Sequence, residues 1–281
     1  MTVPETAFLN GRFLPLAEAT VSIEDRGFQF GDGVYEVIRT YRGRPFKLDA
    51  HLARLDRSAQ AIDLRQPYPF ERWVEYVTEG LRLGDFPETK IYVQITRGTA
   101  PRDHAYAPDL QPTVLMTFRE LQPLNATFPS TGVAAMTMKD IRWGRCDIKS
   151  LNLLANVLAR QQAKKRGVFE SILVRDGQVT EGAVSNVFIV QDGKLITAPE
   201  GGWILSGVTR QVVLELARHE GLMVQERYCS EQELLGATEV FLTGTTVEVL
   251  GVVHIDGKQI GKGQPGPVTR SLAKRFLDET R

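Results

Sequence analysis

Three Asp-Gly pairs, Asp176-Gly177, Asp192-Gly193 and Asp256-Gly257, constrain this chain more than any other feature. Asp-Gly readily takes positive φ at both central positions of a two-residue turn, the geometry that joins antiparallel strands without splaying them. The pairs at 176 and 192 are flanked on both sides by strand-like runs, such as SILVR before and QVTEG after. Asn10-Gly11 marks a further tight turn near the start. The sheets are therefore expected to be mainly antiparallel, and the helices must pack on them.

Apolar residues recur at helical spacing in four places. Leu52, Leu55, Ala59 and Ile62 predict a helix over about 49–62. Phe70, Trp73, Val74, Val77 and Leu81 predict a second, with Gly84 as its stop. Residues 151–166 read as a third, ended by Gly167. Val268, Leu272 and Phe276 read as a last helix with Pro267 in its first turn. Ser230 with Glu233 fits a capping box. Strands are expected at 34–41, 91–96, 113–118, 132–138, 239–243 and 247–255. The class is α+β. A length of 281 residues suggests about two domains. The break is placed in ELQPLN, giving residues 1–121, a linker at 122–125, and 126–281.

Charge excludes one class of function. Lys plus Arg equals Asp plus Glu at 34 each, which argues against a nucleic-acid binder driven by a basic face. A local basic pocket for a small anion stays open. The two cysteines, Cys146 and Cys229, make no disulfide framework and no metal-like Cys/His cluster. The start, MTVPETAFLNGRFLPL, lacks a leader pattern, and no run is long and apolar enough to span a bilayer. A reducing cytoplasm is the expected home.

Five features could carry chemistry. Lys149 in RCDIKSLNLL sits where an extended segment runs into an apolar helix. A surface lysine is the ordinary reading, but a positive helix terminus and burial both free an amine as nucleophile and base. Glu181 precedes a Gly and a strongly apolar strand, with Ser185 and Asn186 between. Ser206, Gly207 and Thr209 at the start of a helix near Val208 suit a phosphate, or simply cap the helix. The loop Thr243-Gly-Thr-Thr246 is rich in hydroxyls. Arg102 and His104, two apart in a loop, suit a carboxylate if the loop is extended there. Periodicity leaves open whether Arg54 points inward, and Tyr35 reads as a core aromatic or a further donor. An amine, a carboxylate, two phosphate-type loops and a carboxylate clamp form the parts list of a pyridoxal phosphate enzyme acting on amino acids.

Taken in order, EDRGFQFGDGVYEV, HLARL, TRGTAPRDH, DIRWGRCDIKSLNLL, VTEGAVSNVF, LSGVTRQVV and LTGTTVE resemble the motifs of the D-amino-acid aminotransferases. These belong to the fold-type IV pyridoxal phosphate enzymes, with the branched-chain aminotransferases and aminodeoxychorismate lyases. The resemblance spans nearly the whole chain. It implies a fold of two α/β domains with the cofactor at their interface, the larger C-terminal domain carrying the cofactor lysine. It implies that Lys149 carries pyridoxal 5'-phosphate covalently and shuttles a proton, and that Glu181 pairs with the ring nitrogen. It gives Arg54, Val208, Thr209, Thr245 and Thr246 to the phosphate and lays Leu205 against the ring. Tyr35, Arg102 and His104 become a trap for the α-carboxylate. The loop bearing Arg102 and His104 is implied to reach across a homodimer interface.

The reaction implied is amino transfer between a D-amino acid such as D-alanine and a 2-oxo acid such as 2-oxoglutarate. Nucleic acid and membrane are not expected partners. The chain departs from the family pattern after Glu181-Gly182, where Ala183 and Val184 stand in place of serines. Rival readings are an L-branched-chain aminotransferase, an (R)-amine transaminase, an aminodeoxychorismate lyase and a non-catalytic binding protein on the same scaffold.

Overall fold

A computed structural model describes residues 6–281, so residues 1–5 of the first expected domain and of the starting segment lie outside the described residues. The chain forms two compact units. One comprises the residues up to Gln122 together with Ile148–Asn152, and the other Pro123–Asp147 with Leu153–Arg281.

The first unit contains β1 (Thr6–Leu9), β2 (Arg12–Pro15), α1 (Arg26–Phe30), β3 (Gly33–Tyr41), β4 (Arg44–Pro45), α2 (Leu48–Gln60), α3 (Phe70–Gly84), β5 (Thr89–Thr96) and β6 (Thr113–Glu120). Its six strands lie in the order β2-β1-β6-β5-β3-β4, every pair antiparallel. Alternation decides which face is buried. Val34 and Ile38 of β3, Ile91, Val93 and Ile95 of β5 and Met116 of β6 point to one side. Leu52, Leu55 and Ala59 of α2 and Trp73 and Val77 of α3 cover them.

The second unit contains α4 (Phe128–Thr131), β7 (Val133–Lys139), α5 (Leu154–Lys165), β8 (Glu170–Arg175), β9 (Gln178–Gly182), β10 (Asn186–Gln191), β11 (Lys194–Thr197), α6 (Val208–His219), β12 (Met223–Glu226), β13 (Cys229–Ser230), α7 (Glu231–Gly236), β14 (Glu239–Gly244), β15 (Glu248–Ile255), β16 (Lys258–Gln259) and α8 (Pro267–Glu279). Its sheet runs β12-β11-β10-β14-β15-β7-β8-β9-β13, with β16 paired to β15. Most pairs are antiparallel, but β11–β12, β15–β7 and β7–β8 are parallel.

All four expected turns form. Asn10-Gly11, Asp176-Gly177, Asp192-Gly193 and Asp256-Gly257 have positive φ at both positions, and each closes a hairpin. A fifth, at Arg42-Gly43, joins β3 to β4 with the same geometry. Arginine is not a turn residue, so no local signal marked it. The Ser230–Glu233 capping box is complete, and Pro267 opens α8.

Gly80 shows how tightly α3 meets the sheet. A Cβ there would fall 2.0 Å from the Phe118 ring. Helix propensity alone favours alanine by about 1 kcal/mol, yet the ring is fully packed and cannot withdraw. Gly80→Ala is therefore expected to destabilise the protein by about 1–3 kcal/mol. Urea unfolding measures it, and a stabilised variant would contradict the packing described.

Candidate active site

The lysine comes first. A helix over 151–166 would have placed Lys149 at its N-terminus. Instead α5 begins at Leu154, because residues 148–152 have committed their backbone elsewhere. Lys149 N–H donates to Ser58 Oγ (3.1 Å) on α2. Its carbonyl accepts from Tyr35 N–H (3.0 Å), and Leu151 N–H donates to the Gly33 carbonyl (3.0 Å). Ile148 sits in the first unit's core. The lysine segment, assigned from sequence to the C-terminal domain, thus falls in the N-terminal unit, and Lys149 does not stand at the start of α5. Gly33 permits the approach, since a Cβ there would lie 2.8 Å from Leu151 Cδ1. The half-buried Lys149 directs its Nζ over the Tyr35 ring, 4.2 Å from the centroid.

Beneath Tyr35 lies a group the sequence reading missed. Glu36 is fully buried on the apolar face of β3, where a carboxylate requires partners. Arg54 supplies a two-point fork, Nε to Oε1 at 2.7 Å and Nη2 to Oε2 at 2.9 Å. His51 Nδ1 lies 2.8 Å from Oε2. His51, Arg54 and Ser58 follow at i, i+3 and i+7 on α2, so one helix stripe holds both Glu36 and Lys149. The signal was available: Glu36 falls in phase with Val34 and Ile38. Arg54, left open by periodicity, points inward. Burial pulls the Glu36 carboxyl up, but Arg54 and His51 outweigh it and hold the group well below its ordinary range. Burial pushes the His51 imidazole down against the pull of Glu36, which favours the neutral ring.

In the second unit Glu181 ends β9 and is buried. Arg142 grips one carboxylate oxygen. The other accepts from Asn186 Nδ2 (3.0 Å) and from Leu205 N–H (3.0 Å). Asn186 also donates to the Leu205 carbonyl (2.9 Å), so Leu205 is tied by its backbone on both sides. Arg142 is shared with buried Asp140 (2.8 Å), which Arg175 also approaches (3.2 Å). Burial raises the Asp140 carboxyl, and the arginines reverse this and hold it low. Asp140 and Arg142 stand in the motif DIRWGRCDIKSLNLL, but the role of Arg142 in holding Glu181, 39 residues away, was not read from it.

Within the second unit, the phosphate candidates of α6 and of the 243–246 turn flank Asn186 at the start of β10. Gly207 caps α6 without a side-chain hydrogen bond, and a Cβ on it would lie 2.1 Å from Asn186 Oδ1. Only glycine lets this terminus close on Asn186. Buried Val208 and Thr209 follow. Asn186 pairs in register with Thr243, and the turn carrying half-buried Thr245 and Thr246 comes next. Paired residues share a sheet face, so Thr243 lies on the face of Asn186. Its buried Oγ1 has no hydrogen-bond partner among the described residues, which suits a polar group supplied from outside the chain. A helix start with uncapped donors beside hydroxyls is a donor set for a phosphate. After Glu181, Ser185 Oγ donates to Glu170 (2.8 Å), the Ala183 carbonyl accepts from Asn156 (2.7 Å), and Val184 is exposed.

Arg102 and His104 are exposed and come together about Phe30. Arg102 Cζ is 4.5 Å from that ring's centroid and the His104 ring 5.4 Å.

The first unit thus holds a lysine with its backbone clamped, and the second holds a carboxylate fixed by arginine and asparagine and a glycine-capped helix beside a Thr-rich turn. The chain belongs to the class IV aminotransferases, whose family model matches residues 33–255. It is 46% identical over 276 residues to the D-alanine aminotransferase of Bacillus licheniformis, covering 96% of this chain and 97% of that protein. It is 44% identical to that of Staphylococcus haemolyticus, covering 96% and 95%. The Escherichia coli branched-chain amino acid aminotransferase superposes with a TM-score of 0.91 at 27% identity, over 98% of this chain and 94% of that one. The T.th. branched-chain enzyme, solved with pyridoxamine 5'-phosphate, does so with 0.91 at 29%, over 99% and 95%. The fold is the fold-type IV architecture expected from the sequence.

Glu36→Gln leaves the Arg54 guanidinium buried without its counter-charge and is expected to cost about 3–5 kcal/mol at neutral pH. Because the folded-state carboxyl is depressed from its ordinary 4.5, the pair's stabilisation is fully present above that pH and is lost as pH falls through the depressed value. The gap in urea stability between parent and variant should therefore be constant above about pH 4.5 and narrow progressively as the pH falls below it. A gap that stays constant as the pH falls below that value would show that Glu36 is not ionised in the folded protein.

Proposed function

We propose that this protein is a pyridoxal 5'-phosphate-dependent D-amino-acid aminotransferase, moving an amino group from D-alanine to 2-oxoglutarate to give pyruvate and D-glutamate. The lysine is the observation that carries the reading: one amine, half-buried against Tyr35, whose backbone is locked to β3 and α2. The D-alanine aminotransferase relatives favour the D-amino-acid reading over the branched-chain one, and so does the Arg102–His104 pair.

Each residue has a role its surroundings suit. When bound, the cofactor supplies an aldehyde carbon for the amino nitrogen and a ring that takes up the electron pair left when the α-proton departs. Lys149 would hold that carbon until the substrate's amino nitrogen replaces it there, and its freed amine would then remove the α-proton and return it to the neighbouring carbon. Glu181 would pair with the ring nitrogen and favour its protonated form. Leu205, tied to Glu181 through its own backbone, would lie against the ring. Val208, Thr209, Thr245 and Thr246 bind the phosphate with Arg54. The charge of Arg54 is already balanced by Glu36, so the α6 terminus carries much of the attraction for the phosphate. Tyr35, Arg102 and His104 hold the α-carboxylate and so select which face of the α-carbon Lys149 addresses.

The working form is a homodimer, with Arg102 and His104 serving the partner's substrate. Leu154, Val157 and Leu158, at i, i+3 and i+4 on α5, form an exposed apolar stripe, with Leu154 at 72% exposure. This stripe supports a subunit contact. No helix among the described residues is long and apolar enough to cross a membrane. The cytoplasmic assignment is supported by two free cysteines, Cys146 and Cys229, whose thiols burial pushes up to about 11 and about 12.

Lys149→Ala should retain the parent's thermal unfolding and lose at least about 10²–10⁴-fold in turnover from proton transfer alone. Borohydride reduction of the parent should leave a mass adduct on the peptide containing Lys149, and an adduct elsewhere would end the reading. D-Alanine, L-leucine, an (R)-amine and aminodeoxychorismate assayed side by side should give turnover with D-alanine foremost.

A further inference from the structure

Sixteen residues separate the end of β5 at Thr96 from β6 at Thr113, and they form no helix or strand beyond an isolated bridge at Thr99. A mostly exposed stretch of that length pays ordering entropy unless something holds it. It nevertheless carries the two side chains that must meet a carboxylate within a fraction of an ångström. Arg26 supplies the hold. It is almost fully buried at the start of α1, and its guanidinium works in three directions. Nη1 donates to the Asp103 carbonyl (2.5 Å) and Nη2 to the His104 carbonyl (3.1 Å). Nε donates to Asp32 (2.8 Å). The Phe30 and Tyr106 rings flank it at 4.8 and 5.6 Å.

Asp32 passes the connection on. It also accepts from Arg97 Nε (2.9 Å), and Arg97 donates to the Ile62 and Asp63 carbonyls just past α2 (2.7 and 2.9 Å). Arg97 stacks on the same Tyr106 ring at 3.7 Å. Burial pulls the Asp32 carboxyl up, and the two arginines reverse this and hold it low, so the link is charged at neutral pH. The loop is thus tied, through two arginines and one aspartate, to the helix whose Ser58 fixes Lys149. Two carbonyls on successive residues, fixed by one rigid fork, leave little freedom in the backbone that bears Arg102 and His104.

We propose that Arg26 is a positioning residue for the substrate carboxylate: through Asp103 and His104 it sets the loop conformation in which Arg102 and His104 bind that group. This rests on the assignment of Arg102 and His104 as the carboxylate pair. Arg26 itself touches no substrate. Its loss should therefore appear in binding of every carboxylate substrate and spare the cofactor.

The test uses the holoenzyme of Arg26→Ala, Arg26→Lys, Arg102→Ala and the Arg26→Ala/Arg102→Ala double variant. Lysine keeps the charge but cannot reach both carbonyls as a fork, so it stands in should the alanine variant fold poorly. KM for D-alanine and for 2-oxoglutarate should rise about tenfold or more in both Arg26 variants, the size expected when a reacting group is misplaced by a fraction of an ångström, with a smaller change in kcat. Release of the bound cofactor by hydroxylamine, which has no carboxylate, should proceed at the parent rate. The double variant should fall little below Arg102→Ala alone, because the two act through one contact. A raised KM in Arg102→Ala with a parent-like KM in Arg26→Lys removes the proposal and leaves the carboxylate pair standing. A parent-like KM in Arg102→Ala removes the pair and the proposal with it. An equal slowing of the hydroxylamine reaction in Arg26→Lys shows a general structural role and overturns it.

Discussion

Lys149 depends on its backbone more than on its side chain. A lysine at a chain reversal is ordinarily free to snorkel toward water. Here the hydrogen bonds from Tyr35 N–H, to Ser58 Oγ and at Gly33 fix the segment before the side chain has any choice. The amine then needs only its own few torsions to find the Tyr35 ring. The same contacts explain why α5 starts late and why five residues fold with a unit that otherwise ends at Gln122. Pre-organising an amine through its main chain lowers the entropy lost when it reacts.

Arginine forks fix several of the buried carboxylates in this protein. Arg54 holds Glu36, Arg142 holds Glu181 and Asp140, and Arg26 holds Asp32 and the loop beyond it. A planar guanidinium with several fixed donors specifies direction as well as charge, which a lysine ammonium cannot do. Each fork also brings two charges out of water, and such pairs contribute little net stability against an apolar replacement. Their value lies in geometry. Chains of fixed dipoles and charges around a reacting centre need no reorganisation during the reaction.

Much of the frame was legible because local chemistry dictated it. Asp-Gly turns, a capping box and an N-terminal proline act over two to four residues, and their partners stand next to them in the chain. Features that depend on distant partners were harder to read. Arg42-Gly43 turns because β3 and β4 pair around it. Residues 151–153 are not helical because β3 claims the backbone just upstream. Glu36 was visible as a break in the apolar phase of β3, but its meaning required the i, i+3, i+7 stripe of α2 to be set opposite. Asp140 and Arg142 lay within a quoted motif, but their link to Glu181 could not be read from it, since Glu181 lies 39 residues beyond Arg142. Lys149, Glu181 and the hydroxyl-rich loops could be singled out in the sequence, whereas the positions of Arg54 and of the Arg102 loop had to be seen.

The substitution of Ala183 and Val184 after Glu181-Gly182 follows the same logic. Serine hydroxyls at those positions would offer donors, but the local backbone already does its work. The Ala183 carbonyl holds Asn156, Gly182 N–H donates to the Ser185 carbonyl, and Ser185 Oγ satisfies the buried Glu170. The loop is therefore shaped by main-chain bonds that any residue supplies, plus the one hydroxyl that remains. A Cβ on Gly182 would lie 2.2 Å from that same Ser185 Oγ, so glycine and serine constrain each other. Residue 183 is buried, where an alanine packs without needing a partner, and residue 184 is exposed, where valine loses nothing to an unpaired polar group. Glu181 keeps its place because its partners, Arg142, Asn186 and Leu205, all lie outside this loop.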